Sequence, residues 1–124
     1  MKTAFIFFLF VILFLSCEKN DDQLSELKGV WIEKSLRNDT IIFNSPEYNF
    51  GGNWFELRRG VMLSTGPYEY KLIEDSITVH WMLSSCTCWR TYYFKLNSFK
   101  NELGIGKFYD SEELEAEILL FERL

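Results

Sequence analysis

Two cysteines separated by one residue form the most reactive cluster of the chain, Cys86-Thr87-Cys88. Three states of this pair are open. A disulfide across one residue needs the two Cα atoms to lie within about 7 Å of each other, with suitably directed Cβ atoms. Free thiols are the second state, and a metal site that recruits His80 is the third. Because such a site has only three ligands and lacks an established zinc spacing, we expect no bound metal.

The single histidine gives little support for catalysis. His80 is predicted to lie partly exposed on a strand, on the face opposite to Val79 and Trp81. With one histidine and no nucleophile elbow in the sequence, a Ser-His-Asp site lacks support. The sequence has no glycine-rich phosphate loop either. We therefore predict a protein that is not an enzyme and uses no cofactor.

Acidic residues dominate the charge of the chain. Its 124 residues contain 13 Lys and Arg against 18 Asp and Glu, a formal net charge of −5. Contacts with phosphate backbones need clustered positive charge, and the only adjacent basic pair, Arg58-Arg59, lies in a predicted solvated turn. We expect no binding to nucleic acid. Four carboxylates lie close together without the spacing of a calcium-binding EF-hand loop, which favours a solvated loop: Asp110, Glu112, Glu113 and Glu115.

Short segments rich in aromatic and β-branched residues predict an all-β domain. The clearest hairpin joins residues 68–73 to residues 77–81, with apolar side chains at every second position. The other main predicted strands cover residues 30–37, 40–43, 53–58, 89–96 and 102–108. Residues 116–123 fit a helix or a strand, and we favour a strand because it would close the sheet. About eight antiparallel strands predict a small meander β-barrel rather than a two-sheet sandwich, since closure removes open edges.

The first sixteen residues have the organisation of a signal peptide. Met1 and Lys2 precede an uninterrupted apolar run over residues 4–15. Twelve residues suit the apolar region of a signal peptide, whereas a membrane-spanning helix needs about 20. The alternative is an N-terminal helix that stays attached. Removal of residues 1–16 leaves 108 residues, a length that supports one domain with one core.

The segment Leu15-Ser16-Cys17 follows the apolar run and resembles the lipobox of bacterial lipoproteins, although Phe14 stands where leucine is usual. The resemblance implies lipid transfer to the Cys17 thiol, cleavage before Cys17 and acylation of the new amino terminus. Two or more acyl chains hold a protein stably on a membrane. Residues 17–26 then form the lipidated cysteine and a polar tether, and residues 18–22 resemble the surface-export signal of Bacteroidota lipoproteins. We expect attachment to the outer membrane, on its periplasmic or its surface side.

The segment Leu27-Lys28-Gly29-Val30-Trp31 resembles the opening of lipocalins and of the compact lipocalin-like domains of Bacteroidota lipoproteins. The hairpin over residues 70–77 and the ending over residues 119–124 are similar to these domains as well. The resemblance implies a barrel over residues 27–124, in which Gly29 permits a close bend and Trp31 plugs the closed end. The chain is shorter than full-length lipocalins and lacks their later motifs and their C-terminal helix.

A barrel of about eight strands either is filled by its own side chains or holds one small ligand. The resemblance implies a small apolar or amphipathic ligand at the open end, among Trp54, Tyr70, Trp81 and Tyr92. The alternative is a solid barrel or sandwich that serves as a protein–protein interaction module, an accessory subunit or an inhibitor at the cell envelope.

An enclosed apolar pocket of about 300 Å³ or more favours the ligand carrier. A filled interior with an exposed aromatic patch favours the partner role. Nine aromatic residues compete for the interior: Trp54, Phe55, Tyr68, Tyr70, Trp81, Trp89, Tyr92, Phe94 and Phe108.

Overall fold

The computed structural model describes residues 24–45, 52–60, 63–111 and 113–124. Within them one helical turn over residues 24–27 precedes nine strands. The strands are β1 Gly29–Glu33, β2 Asp39–Phe43, β3 Trp54–Arg59, β4 Leu63–Ser64, β5 Tyr68–Ile73, β6 Ser76–Trp81, β7 Arg90–Leu96, β8 Glu102–Gly106 and β9 Ile118–Arg123. No helix in these ranges is long and apolar enough to cross a membrane.

Eight of the strands close into an antiparallel barrel. Each strand pairs with its neighbour in the order β1, β2, β3, β5, β6, β7, β8 and β9, and β9 pairs again with β1. The short β4 extends the sheet beside the end of β3. The predicted all-β meander barrel is therefore confirmed, and the two-sheet sandwich is not formed. The C-terminal segment is a strand, as we favoured, because its pairing with both β1 and β8 completes the closure.

The first hairpin turns earlier than the sequence indicated. We predicted strands over residues 30–37 and 40–43, but β1 ends at Glu33 and residues 34–37 form the turn. The Glu33 carboxylate accepts hydrogen bonds from the backbone N–H groups of Ser35 and Leu36, at 2.9 and 2.8 Å, and from the Ser35 hydroxyl at 2.6 Å. These bonds give the backbone N–H groups of the turn an acceptor within the hairpin. The turn is therefore complete before Asp39, which is the first residue of β2.

Aromatic and aliphatic side chains fill the interior of the barrel. The ring of Phe55 stacks on Tyr68 with centroids 5.0 Å apart and meets Phe108 edge-on at 5.4 Å. The ring of Phe43 meets Tyr70 edge-on at 5.4 Å. Of the nine aromatic residues expected to compete for this space, four belong to the buried core and two pack against it: Phe55, Tyr68, Tyr70 and Phe94, then Tyr92 and Phe108. The other three are tryptophans that lie outside this core: Trp54, Trp81 and Trp89.

The two ends of the barrel carry different connections. Among the described residues, the closed end, as we name it, comprises residues 24–28, 44–45, 52–53, 74–75, 97–101 and 123–124. The mouth, as we name the opposite end, comprises residues 34–38, 65–67, 82–89, 107–111 and 113–117. This separation follows from the meander, because consecutive antiparallel strands are joined at alternate ends of a barrel.

Candidate functional site

A tryptophan and an arginine seal the closed end. Trp31 is fully buried, and its indole N–H donates a hydrogen bond of 2.9 Å to the Leu27 carbonyl. The guanidinium of Arg123 lies over the Trp31 ring, 4.4 Å from its centroid. This guanidinium also donates hydrogen bonds to the carbonyls of Lys28, at 2.8 Å, and Lys100, at 3.2 Å, and to that of Glu26. One side chain thus ties β9 to the first turn of the chain and to the β7–β8 turn.

Gly29 gives the arginine the space that it needs. The backbone of Gly29 has a φ of +128°, a conformation that residues with a Cβ atom rarely adopt. A Cβ atom at this position would lie 3.3 Å from Nη1 of Arg123. Gly29 and Trp31 are the residues for which the resemblance implied a close bend and a plug, and the structure places both at the closed end.

The structure brings together two of the four aromatic residues proposed to hold a ligand. Trp81 and Tyr92 line a pocket of about 280 Å³ at the mouth. Tyr70 is only 1% exposed and lies in the filled core. Trp54 is buried outside the core, on the face of β3 that carries Glu56 rather than the face that carries Phe55. Neither Tyr70 nor Trp54 reaches the mouth pocket, because one is enclosed by other rings and the other faces away from the interior.

The mouth pocket has an aromatic floor and a polar rim. Phe108 lies at the floor, where its ring meets Tyr68 at 5.4 Å and Tyr92 at 6.3 Å, so these rings separate the pocket from the core. On one wall the indole N–H of Trp81 donates a hydrogen bond of 2.8 Å to the Thr65 carbonyl, which holds the ring in place. The remaining lining residues are Val79, Ser84, Cys86, Cys88 and Arg90.

The two cysteines form a disulfide at the rim of this pocket. Their Cα atoms are 5.2 Å apart, a separation within the normal range for a bridge. Of the three states that the sequence left open, the structure has the disulfide. Nε2 of His80 lies 3.1 Å from the Cys86 carbonyl oxygen, and its ring packs against Trp89 at 5.4 Å. In the part of the chain that the structure describes, no group of three or more His, Cys, Asp or Glu side chains is placed to hold a metal ion.

Charged residues at the mouth point inward, contrary to the expectation of a solvated turn at Arg58-Arg59. Arg59 was assigned with Arg58 to a solvated turn, but only Arg58 is exposed; Arg59 is half-buried opposite Asp39 in the β2–β3 ladder. Asp39 is 7% exposed and accepts a hydrogen bond of 2.7 Å from the Tyr109 hydroxyl. The guanidinium of Arg59 lies over the Tyr109 ring, 5.3 Å from its centroid. The cation–π contact and the hydrogen bond thus join Asp39, Arg59 and Tyr109, which we call the charged cluster, at the mouth.

The alternation of side chains along each strand already indicates which charged residues face the interior. Glu33 lies on the same face of β1 as Trp31. Asp39 lies on the same face of β2 as Ile41 and Phe43. Arg59 keeps the phase of Phe55 and Leu57 on β3. A charged residue in phase with buried apolar neighbours is predicted to face the interior, where it needs a partner.

Burial and hydrogen bonding change the acidity of several groups at the mouth. Burial, then the hydrogen bond to Asp39, raises the pKa of Tyr109 far above its ordinary value, so this phenol is a proton donor at neutral pH. Burial also raises the pKa of Tyr68. Burial alone would raise the pKa of Glu33, but the hydrogen bonds from Ser35 and Leu36 outweigh it and hold the pKa below its ordinary value. Glu33 is therefore a carboxylate at neutral pH.

A second, polar recess of about 690 Å³ adjoins the charged cluster. Its lining residues are Asn38, Asp39, Arg59, Gly60, Thr65, Asp110, Ser111 and Glu113. Asp110 and Glu113 are exposed on its outer wall, in accordance with the solvated acidic loop that we expected; Glu112 lies outside the described residues. This recess differs from the mouth pocket because charged and hydrogen-bonding groups, rather than rings, line it.

Comparison with protein-family models, with curated proteins and with solved structures gave no match. The function must therefore be inferred from the geometry of the mouth and from the N-terminal motif.

Proposed function

We propose that this chain is a lipid-anchored envelope lipoprotein whose lipocalin-like barrel binds a small amphipathic molecule at its mouth, without catalysis. The observation that carries the binding role is the pocket of about 280 Å³ formed by Trp81, Tyr92 and Phe108. Aromatic walls provide a large apolar contact area with few rotatable bonds, which suits the binding of a small apolar body.

The filled core leaves the mouth, rather than the depth of the barrel, as the place for a ligand, and a filled interior is also the first of the two features expected for the partner role. Ring packing among Phe55, Tyr68 and Phe108 occupies the space below the pocket. Pockets for drug-sized ligands measure about 300–1,000 Å³, so this pocket suits a small molecule or one that extends into solvent. Arg90 on the rim is a donor for an acidic or carbonyl group of that molecule.

Native mass spectrometry of the protein extracted from its own membranes tests the binding role. We expect the wild-type protein to carry a small molecule and a Trp81→Ala variant to lose it. Trp89→Ala is the matched control, because Trp89 contacts His80 and Lys71 on the outer face of the barrel instead of the pocket. A bare wild-type mass, or equal loss from both variants, would refute a ligand in this pocket.

The anchor rests on the sequence motif, since residues 1–23 lie outside the described residues. The apolar run over residues 4–15 and the segment Leu15-Ser16-Cys17 support cleavage before Cys17 and its lipidation. Cys17→Ala is expected to release the protein from the membrane fraction, while the double variant Cys86→Ala/Cys88→Ala stays bound. Retention of Cys17→Ala on membranes would refute the lipid anchor.

A second candidate function is contact with another envelope protein. Three half-exposed side chains surround Gly104 on the outer face of β7, β8 and β9: Tyr93, Ile118 and Leu120. An exposed apolar patch of this kind is typical of protein-binding surfaces. A photoreactive residue in place of Leu120, compared with one in place of Lys71 across the barrel, tests this role. A specific envelope protein crosslinked only at position 120 favours it.

A further inference from the structure

We infer that the barrel stands on its closed end at the membrane surface, with Phe99 and Leu124 in contact with lipid and the mouth directed away. This inference rests on the proposed lipid anchor at Cys17, and it adds which surface of the domain meets the bilayer.

The position at which the chain joins the barrel decides which end is near the membrane. Leu24 begins the helical turn of the closed end and packs against the core, and Leu27 of the same turn is fully buried. Only six residues lie between Cys17 and Leu24, so their Cα atoms are seven Cα–Cα steps apart. Seven such steps span at most about 25 Å when the chain is fully extended. A six-residue strand already rises about 20 Å, so a tether that placed the mouth on the membrane would have to run fully extended along the barrel.

The closed end presents apolar side chains that have no partner inside the barrel. Phe99, in the β7–β8 turn, is 84% exposed, and Leu124 is 68% exposed. The two lie on adjoining segments, because the backbone N–H of Arg123 donates a hydrogen bond of 3.0 Å to the Asn101 carbonyl. Aromatic and aliphatic tips of this kind bind at the boundary between head groups and acyl chains.

Exposure alone does not select this end, since the mouth also exposes apolar side chains such as Leu83, at 65%. The short tether determines that the closed end, rather than the mouth, lies near the membrane. The charges of the closed end point to apolar rather than electrostatic contact. Lys100 pairs with Glu26 at 3.1 Å, and Arg123 is engaged by backbone carbonyls. Lys28, Glu74 and Asp75 are exposed, and the six side-chain charges of the described residues at this end sum to zero. We therefore expect the contact to form on neutral lipid and to be independent of anionic lipid.

Tryptophan fluorescence in the full-length lipidated protein tests the orientation. The probe is a phosphatidylcholine vesicle with bromine atoms on its acyl chains, which quench tryptophan only on contact. Phe99→Trp and Leu83→Trp each add one tryptophan to the four of the chain, and the added signal is the difference from the parent protein. We expect the tryptophan at position 99 to lose most of its added fluorescence and the one at position 83 to lose almost none. Leu124→Trp, at a side chain that is 68% exposed, repeats the measurement and should be quenched as well.

Sedimentation with the vesicles separates the two hypotheses. Protein that stays in the supernatant would overturn the anchor, and with it this inference. Protein that sediments while neither position 99 nor position 124 is quenched would overturn the orientation and leave the anchor intact. Stronger quenching at position 83 than at position 99 would show that the mouth faces the membrane and would also overturn the orientation.

Discussion

The guanidinium of Arg123 lies 4.4 Å from the centroid of the Trp31 ring, and the two residues face each other across the β1–β9 ladder. This ladder joins the last strand of the barrel to the first. The same arginine binds carbonyl groups of the segment before β1. A cation–π contact and charge-assisted hydrogen bonds therefore stabilise the closure of the barrel at a single position.

Replacement of Arg123 by Met is expected to lower the free energy of unfolding by about 2–3 kcal/mol, because a cation–π contact and several hydrogen bonds to a charged donor are lost together. Urea denaturation measures this change. Arg90→Met, at the pocket rim, is the matched control and should change the stability by less than about 0.5 kcal/mol. Equal effects of the two variants would contradict the role of Arg123 in closure.

Gly29→Ala is expected to destabilise the domain by about 1–3 kcal/mol, since a φ of +128° is unfavourable for alanine and the new Cβ approaches Arg123. Gly104→Ala is the control. A Cβ atom there meets only ordinary contacts at 3.5–3.7 Å, on the outer face. Thermal unfolding of both variants distinguishes them, and a Gly29→Ala protein as stable as Gly104→Ala would show that position 29 tolerates a side chain.

Tyr109→Phe is expected to cost about 1–3 kcal/mol, because it leaves the buried Asp39 carboxylate without its hydroxyl donor. Tyr93→Phe provides the comparison, since the Tyr93 side chain is half-exposed on the outer face. Chemical denaturation at neutral pH measures both. If the two variants unfold at the same urea concentration, the bond between Tyr109 and Asp39 contributes nothing measurable to stability.

Alkaline pH is expected to destabilise the barrel. Burial raises the pKa of Tyr70 to about 12, against 10.0 for an ordinary tyrosine. A group whose pKa is higher in the folded state stabilises that state below pH 10 and loses this contribution as the pH rises toward 12. The loss is about 1.4 kcal/mol per pH unit for each such group. Tyr68 and Tyr109 act in the same direction.

Unfolding free energies measured between neutral pH and pH 11 check this dependence. Tyr70→Phe should flatten the decline above pH 10, because one buried phenol no longer ionises on unfolding. A stability that is constant up to pH 11 would contradict the burial of these tyrosines.

Much of the fold could be predicted from local patterns. Alternation placed Tyr68 and Tyr70 on one face of β5 and Ile77 and Val79 on one face of β6, and these four side chains are buried together in the core. Alternation also indicated that Phe55 and Leu57 face the same way. The regular spacing of the preceding strands along the sequence also favoured a strand at the C-terminal segment. These features are local, because successive side chains of a strand point to opposite faces whatever the strand pairs with.

The candidate site was predicted only in part. Trp81 and Tyr92 lie in the mouth pocket, but Tyr70 fills the core and Trp54 faces outward. Alternation gives two faces for each strand without saying which is inside, and an aromatic residue is equally suited to a core, a pocket or an outer surface. The inward charges of Asp39 and Arg59 were overlooked for the related reason that their partners come from distant strands and loops.

The sequence by itself determined the strands, their faces and, through the residues around Cys17, the expected anchor. Only the tertiary structure decided the register between the strands, that the interior is filled, and that Arg123 meets Trp31. The physical reason is that alternation depends on adjacent residues, whereas closure depends on the register between β1 and β9. That register brings together residues from the two ends of the domain, and no local pattern in the chain encodes it.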